Sequence, residues 1–314
     1  MSKQAKVRLP NFVVAGAAKS GSTSLYHYLK GHPEIFLPEK KESRFFANEV
    51  LTNTLGYNKT SVFGWDNFKN QYTDATETQK AIGDFGNLYM IYPEIAIPNI
   101  KKHLGEQVKI VFIIRNPIKR SYSAYQMARR NFYEDQSFEQ GLVLEEERLQ
   151  EAYVPCDIIA YKKMGRYAKP IVEFKKHFDV HTIVLEEMQQ NPNKELESLF
   201  KFLGVDPGYQ PETKGAHNTG GEVPNTNVNV FKVQKMLKSL KPILGFIPGL
   251  SQLSEWIVKT MSGKLSNKTA QKAEPLSKEM EQKLFEIFKD DIENTSELLN
   301  KDLKQIWQLN GLCN

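Results

Sequence analysis

The stretch FVVAGAAKSGSTSLYHYL, residues 12–29, joins an apolar run to a helical pattern through a loop of small residues. The run FVVAG is compact, rich in β-branched residues and closed by Gly16, which predicts a strand buried on both faces. The following segment STSLYHYLK predicts a helix that ends at Gly31 and Pro33. Because such a loop exposes backbone N–H groups at the positive end of the helix dipole, the stretch favours an anion.

The loop itself has the composition of a phosphate cradle. Gly16 and Gly21 would let the backbone approach a phosphate, Lys19 adds a full positive charge, and hydroxyl donors stand at Ser20, Ser22, Thr23 and Ser24. The glycine spacing is that of the loop G-x-x-x-x-G-K-[ST] of nucleotide triphosphatases, but the lysine stands three residues too early and position 22 is serine. The alternative interpretation is a small-residue turn that only lets the helix pack.

Apolar strand patterns alternate with helical patterns along the chain. The strand patterns cover residues 11–16, 34–37, 81–84, 108–114 and 181–187. This alternation predicts an α/β fold with three layers, in which helices cover both faces of a central, mainly parallel sheet of about five strands. Such sheets bind ligands at the carboxyl ends of their strands.

A second anion site is predicted at the end of the strand VKIVFII. This strand ends in Arg115, where an ATP-using enzyme needs an acidic residue to hold magnesium. The motif RNPIKRSYSAY then predicts a helix capped by Asn116, with Pro117 in its first turn. Arg115 and Ser123, on that helix, could grip one isolated phosphate, although a lone arginine is more often a surface ion-pair partner. The sequence therefore predicts a metal-free site for a ligand with two phosphate groups.

These motifs resemble those of the sulfotransferases that use 3′-phosphoadenosine 5′-phosphosulfate (PAPS). KSGST, residues 19–23, is similar to their 5′-phosphosulfate loop K-x-G-[ST]-[ST], and RNPIKRSYSAY, residues 115–125, is similar to their 3′-phosphate motif. KKESRFF, residues 40–46, resembles the K-E-x-x-F-F segment of the glycan and bacterial branch. The resemblance implies a fold like that of the P-loop nucleotide triphosphatases and transfer of a sulfuryl group from PAPS to a hydroxyl or amine. The acceptor would be a carbohydrate or small molecule, the product 3′-phosphoadenosine 5′-phosphate (PAP), and no metal would be needed.

The resemblance also implies roles for individual residues. Lys19 would stabilise charge on the bridging oxygen of PAPS, and Arg115 with Ser123 would bind the 3′-phosphate. Glu42 aligns with the general base, and its neighbours Lys40, Lys41 and Arg44 would keep it ionised, whereas the alternative is an ordinary surface glutamate. The remaining implied contacts are those of Ser20, Gly21, Ser22 and Thr23 with the 5′-phosphosulfate, and of Lys214 and Gly215, in TKGAHN, with the nucleotide.

Two features of the sequence bear on the identity of the acceptor and of the base. Glycan-type members often show E-K-[ST]-P-x-Y after the third strand, but here GDFGNLY places Phe85 and Gly86 at those positions. This departure argues against a heparin-like acceptor, and Phe85 with Tyr89 could line a more apolar pocket instead. Histidine is the base in the cytosolic branch, and His217 is the histidine that we would test. His32, before Pro33, is interpreted as a capping or packing residue.

The whole chain is interpreted as one sulfotransferase domain over residues 1–314. It would comprise a PAPS-binding core at about 8–205, a loop at 206–227 that could close over the nucleotide, and a helical part at 228–314. The formal net charge of +5 comes without a large basic tail, so no nucleic-acid partner is expected. Two cysteines and the absence of an apolar leader or a membrane-spanning run predict a cytoplasmic protein.

A basic stripe is predicted in the segment FKVQKMLKSLK. It comprises Lys232, Lys235, Lys238 and Lys241. The stripe could meet a membrane or another anionic surface peripherally, and the alternative is a solvated helix face.

Two rival functions stay open at this point. A kinase-like phosphotransferase would need ATP and magnesium, against which the displaced lysine and Arg115 argue. A non-catalytic nucleotide-binding module would be excluded only by turnover.

Overall fold

The computed structural model describes residues 7–48, 64–131, 133–150, 159–211 and 274–312, and the backbone of 223–224 and 270–271. The predicted Lys214, Gly215 and His217, the stripe from Lys232 to Lys241, and both cysteines lie outside the described residues.

The centre of the molecule is a parallel sheet of five strands in the order β2-β3-β1-β4-β5. Its strands are β1 (Phe12–Gly16), β2 (Ile35–Phe36), β3 (Ala81–Phe85), β4 (Lys109–Ile114) and β5 (Val180–Val184). The predicted five-strand sheet is therefore confirmed. The prediction for β5 was three residues too long, because the chain turns at Leu185 directly into a helix.

Helices connect the strands and extend beyond the sheet. They are α1 (Ser22–Lys30), α2 (Trp65–Asn70), α3 (Pro93–Leu104), α4 (Pro117–Arg130), α5 (Phe138–Gln150), α6 (Ala168–Lys175), α7 (Leu185–Gln190), α8 (Pro192–Leu203), α9 (Lys278–Leu299) and α10 (Leu303–Ile306). Short 3₁₀ turns lie at Phe45–Ala47, Tyr89–Ile91, Lys163–Gly165 and Asn310–Leu312. Asn116 caps α4 as predicted, since its side chain accepts hydrogen bonds from the backbone of Ile118 and Lys119.

The two faces of the sheet are both covered, which confirms the three-layer α/β/α fold. Alternate residues of β1 belong to different apolar clusters, because successive side chains of a strand point to opposite faces. Val13 and Ala15 pack with residues of α3, α4, α6 and α9, whereas Phe12 and Val14 pack with α1 and α8. All five residues of β1 are buried, as the apolar run FVVAG predicts.

The topology places a crevice at the carboxyl end of β1. This strand pairs with β3 on one side and β4 on the other, so the chain connections that leave β1 and β4 run in opposite directions. Open parallel sheets bind ligands at such a switch point. The loop from β1 to α1 and the end of β4 at Arg115 both lie at this edge.

The C-terminal part differs from the sequence prediction in two places. The last helical pattern forms two helices, since Asn300 adopts a left-handed conformation (φ 50°) that ends α9 before α10 begins. The predicted loop 206–227 contains a short strand, Val223–Pro224, which pairs antiparallel with Ala270–Gln271. Among the described residues, no helix is both long and apolar enough to cross a membrane.

Candidate active site

The loop from β1 to α1 turns sharply before the helix. Lys19 and Gly21 both have positive φ angles, 67° and 93°, and α1 begins at Ser22. Ser22 and Thr23 therefore belong to the first turn of α1, as the predicted helix STSLYHYLK has them. Backbone N–H groups of that turn have no partner within the helix, so they are available to an anion.

The ammonium of Lys19 lies in a strongly cationic environment. Its Nζ is 3.5 Å from Sδ of Met127 on α4. Burial, and then the nearby charges of Arg130, Arg115, Arg120 and Lys41 in that order, together lower the pKa of Lys19 to about 8. Since a bound anion would offset both burial and repulsion, this cluster of like charges is suited to a polyanionic ligand.

Arg115 is directly connected to the same loop. Its Nη1 donates a hydrogen bond to the backbone oxygen of Lys19 at 3.2 Å. The backbone oxygen of Arg115 accepts from the Tyr167 hydroxyl at 2.7 Å, which fixes the end of β4. Ser123 lies two turns into α4 and is half-buried. The two strand ends therefore bring Lys19 and Arg115 to one edge of the sheet.

Glu42 is held by three donors. Lys41 Nζ is 3.1 Å from Oε1, Asn87 Nδ2 donates to the same oxygen at 2.7 Å, and Arg44 Nη2 is 2.9 Å from Oε2. Burial raises the pKa of Glu42, but the charges of Lys41 and Arg44 and the bonds from Lys41 and Asn87 outweigh it, so the pKa is lowered. Glu42 is therefore ionised at neutral pH, as predicted from its basic neighbours, although Lys40 is exposed rather than one of these contacts.

Lys41 connects Glu42 to the start of α1. Its Nζ donates to Ser22 Oγ at 3.2 Å and to Thr23 Oγ1 at 3.4 Å. The same ammonium lies 5.8 Å from the centre of the Phe85 ring. Lys41 thus links the Glu42 carboxylate to the first turn of α1.

A buried polar cluster supports the segment that carries Glu42. Asp84, at the end of β3, accepts from the hydroxyls of Tyr72 at 3.2 Å and Tyr89 at 2.9 Å, and the Ser43 hydroxyl is 3.1 Å from that of Tyr89. Burial raises the pKa of Asp84 to about 6 against the effect of these hydrogen bonds. Since Phe85 and Tyr89 are both fully buried, the prediction that they line an apolar acceptor pocket is wrong: their side chains belong to the core and to this cluster.

The loop fits an anionic nucleotide better than it fits a metal. Ser20 is fully buried, and its hydroxyl has no hydrogen-bond partner among the described residues, so a buried donor is available to a ligand. In the parts of the chain that the structure describes, no three His, Cys, Asp or Glu side chains lie together as metal ligands could. Lysine, arginine and hydroxyl donors are the groups that bind phosphate and sulfate oxygens.

His32 has the structural role that its position predicts. Its Nε2 lies 3.0 Å from the backbone oxygen of Asp206, and its Nδ1 accepts from the backbone of Glu34. Both ring nitrogens are therefore engaged, and His32 links the end of α1 to the chain after α8. This histidine is not available as a base.

Sequence reasoning missed Asn87, Arg130 and the cluster around Asp84. Asn87 comes from the turn after β3, and Arg130 is the last residue of α4. No motif marks either position, because each reaches the site only through the length and direction of an element that folds next to it.

The fold and site together define an α/β protein with a cationic loop at the central strand of a parallel sheet. The family model of the sulfotransferase domain matches residues 9–241, and the chain belongs to this family. The resemblance found in the sequence is thereby confirmed.

Individual relatives agree with this assignment. The chain is 37% identical over 117 residues to the membrane-associated sulfotransferase kil1 of Dictyostelium discoideum, covering 37% of this chain and 22% of that protein. It is 25% identical over 216 residues to the bifunctional heparan sulfate N-deacetylase/N-sulfotransferase 2 of Homo sapiens, covering 64% and 22% of the two chains. The chain thus matches only about a fifth of the length of these relatives. A solved sulfotransferase from Alicyclobacillus acidocaldarius shares the fold, with a TM-score of 0.70, 24% identity, and coverage of 96% of this chain and 99% of that one.

Proposed function

We propose that this protein is a PAPS-dependent sulfotransferase that uses Glu42 as its general base. The observation that carries the proposal is the junction of the two predicted anion sites, where Arg115 donates to the backbone of Lys19. A ligand with phosphate groups at two ends would meet a cation at each end, and Glu42 is linked through Lys41 to Ser22 and Thr23, which follow Lys19 in the chain.

Each part of the site has a task in this reaction. When bound, PAPS supplies a sulfuryl group whose bond to the 5′-phosphate oxygen breaks, with its electron pair, as an acceptor oxygen or nitrogen bonds to sulfur. Lys19 donates to the oxygen that gains charge, and the donors from Ser20 to Thr23 hold the phosphosulfate. Arg115 and Ser123 hold the 3′-phosphate. Glu42 accepts the proton that leaves the acceptor.

The acceptor is proposed to be a hydroxyl or amine of a carbohydrate or small molecule. The similarity to a heparan sulfate N-sulfotransferase supports a carbohydrate. GDFGNLY has Phe85 in place of the lysine of the glycan-type motif, which supports a less anionic acceptor than heparan. A panel of amino sugars, neutral glycans and small alcohols, assayed for release of PAP, tests this range.

Replacing Glu42 by glutamine tests the proposed base. Removal of a general base is expected to lower kcat by about 10² to 10⁴-fold, because proton transfer loses its acceptor. The affinity for PAP, measured by calorimetry, is expected to stay within about twofold of the wild type because Glu42 does not bind the nucleotide's phosphates in this scheme. Glu39→Gln is the matched control, since Glu39 is 92% exposed and paired with Lys30. Wild-type turnover by Glu42→Gln would reject this carboxylate as the base.

Ligand binding separates the rival functions. The wild-type protein is expected to bind PAP without magnesium and to bind ATP with magnesium at least tenfold more weakly. The reverse preference would favour the kinase-like phosphotransferase. Binding of PAPS without turnover of any acceptor would favour a nucleotide-binding module.

A further inference from the structure

The ammonium of Lys41 stands between the base and the anion-binding loop. It contacts Oε1 of Glu42 at 3.1 Å, and it reaches Ser22 Oγ at 3.2 Å and Thr23 Oγ1 at 3.4 Å. The side chain of Lys41 is 19% exposed, so its charge is partly desolvated, and its ammonium lies 5.8 Å from the centre of the Phe85 ring. Lys41 therefore contacts both the proposed base and the hydroxyls that are proposed to hold the phosphosulfate.

The three hydrogen bonds to Glu42 make it poorly suited to accept a proton. Oε1 accepts from both Lys41 and Asn87, and Oε2 from Arg44. A carboxylate that accepts several hydrogen bonds and neighbours two cations is a weak base. Departure of one of these donors when the reactants bind would make Glu42 a stronger base.

Of the three donors, Lys41 has another anion-binding position within reach. Arg44 lies in a left-handed backbone conformation, and Asn87 is buried. Lys41 already contacts the two hydroxyls of the first turn of α1, where the phosphosulfate is proposed to lie. A lysine ammonium is a compact charge on a flexible stem, so it can change partner without movement of the backbone.

We propose that Lys41 is a catalytic residue that exchanges partners: it leaves its ion pair with Glu42 and pairs with the sulfuryl oxygens of the donor when the nucleotide binds. This inference rests on the proposed function. The exchange balances charge, since the ammonium leaves one anion for another. It removes one of the two donors to Oε1, so that Asn87 remains and the second position can take the acceptor's proton when a sulfuryl group is present. Lys19 keeps a separate position, because its Nζ lies against Met127 on α4.

The comparison of PAPS with PAP tests this exchange, because only PAPS carries the sulfuryl group. We would measure the affinity of both nucleotides, without acceptor, for the wild type and Lys41→Met. The variant is expected to bind PAPS about tenfold more weakly and PAP within twofold of the wild type, as expected for loss of one charge-assisted contact. Lys40→Met, one residue earlier at an exposed position, is the matched control and should bind both nucleotides as the wild type does.

A second variant and the remaining outcomes make the test decisive. Lys41→Arg keeps the charge and should recover most of the PAPS affinity that Lys41→Met loses, whereas a purely structural role of Lys41 predicts the same change for PAPS and for PAP in each variant. Equal losses for both nucleotides, or no loss for either, would overturn the exchange while leaving the proposed function intact. If the wild type bound neither nucleotide, the proposed function would fail and this inference with it.

Discussion

The buried charge of Lys19, proposed to bind the donor, is costly to the stability of the protein. Burial and the surrounding arginines lower its pKa to about 8, from an ordinary value of 10.5. Below pH 8 this lysine is charged in both the folded and the unfolded protein, so the full cost of burying the charge applies there. The cost disappears as the pH rises through the window from about 8 to 10.5, in which the folded protein releases its proton first. A bound anion would offset the same cost.

We therefore expect Lys19→Met to lose ligand affinity and to gain stability together. At pH 7 its affinity for PAP should fall by about 10- to 100-fold, since a charged hydrogen bond is lost. Its free energy of unfolding should rise by up to about 2 kcal/mol, because no charge is buried. Calorimetry and urea unfolding measure the two effects.

The pH dependence of PAP binding tests whether affinity falls when Lys19 loses its proton. In the wild type, PAP affinity should be level up to about pH 7 and fall above about pH 8, with uptake of a proton on binding. The PAP affinity of Lys19→Met should not change with pH over the same range. Lys119→Met, exposed on α4, should keep the wild-type profile and stability. A wild-type profile in Lys19→Met would contradict the assignment of this titration to Lys19.

At the scale of elements, the turn between β1 and α1 depends on the absence of a side chain. Gly21 has a φ of 93°, and a Cβ built there would lie 2.5 Å from Cδ1 of Leu185, at the start of α7. The start of α1 is thus packed tightly against Leu185, the first residue of α7. This contact sets the position of the loop relative to the sheet.

Gly21→Ala is expected to destabilise the protein by about 1–3 kcal/mol, because the residue would be strained and Leu185 displaced. PAP affinity should fall as well, since the loop carries Lys19 and Ser20. Gly311→Ala is the control: a Cβ there meets nothing within 4 Å, and its effect should stay within about 0.5 kcal/mol. Urea unfolding checks both variants, and equal stabilities would show that the turn tolerates a side chain.

At the scale of the whole molecule, the sequence predicts the position of those site residues that directly follow a strand. Lys19, Arg115 and Glu42 could be placed at one edge because each follows a recognisable strand, and parallel strands end at the same edge. The contacts among them were not predictable, since hydrogen bonds such as Asn87 to Glu42 depend on how a turn folds over its neighbour. The burial of Phe85 was missed for the same reason.

Hydrogen bonds among Asn116, Glu186 and Trp307 join the C-terminal part of the chain to the end of β4. Glu186 accepts from the backbone of Asn116 at 3.1 Å and from Trp307 Nε1 at 2.9 Å. Asn116 also donates from its side chain to the backbone oxygen of Trp307, 191 residues later in the chain. Trp307 is 1% exposed, so this junction is part of the core. It stands directly beside Arg115, although the family match ends at residue 241.

This junction implies that occupancy of the ribose-phosphate end is felt at the far terminus of the chain. Fixing Arg115 on an anion should also fix Asn116, and with it α10, against local opening. Amide deuterium uptake at residues 303–307 should then slow when PAP is added, and remain fast when adenosine, which has no phosphate, is added instead. Unchanged uptake with PAP would mean that the two ends of the chain are joined in space without being coupled.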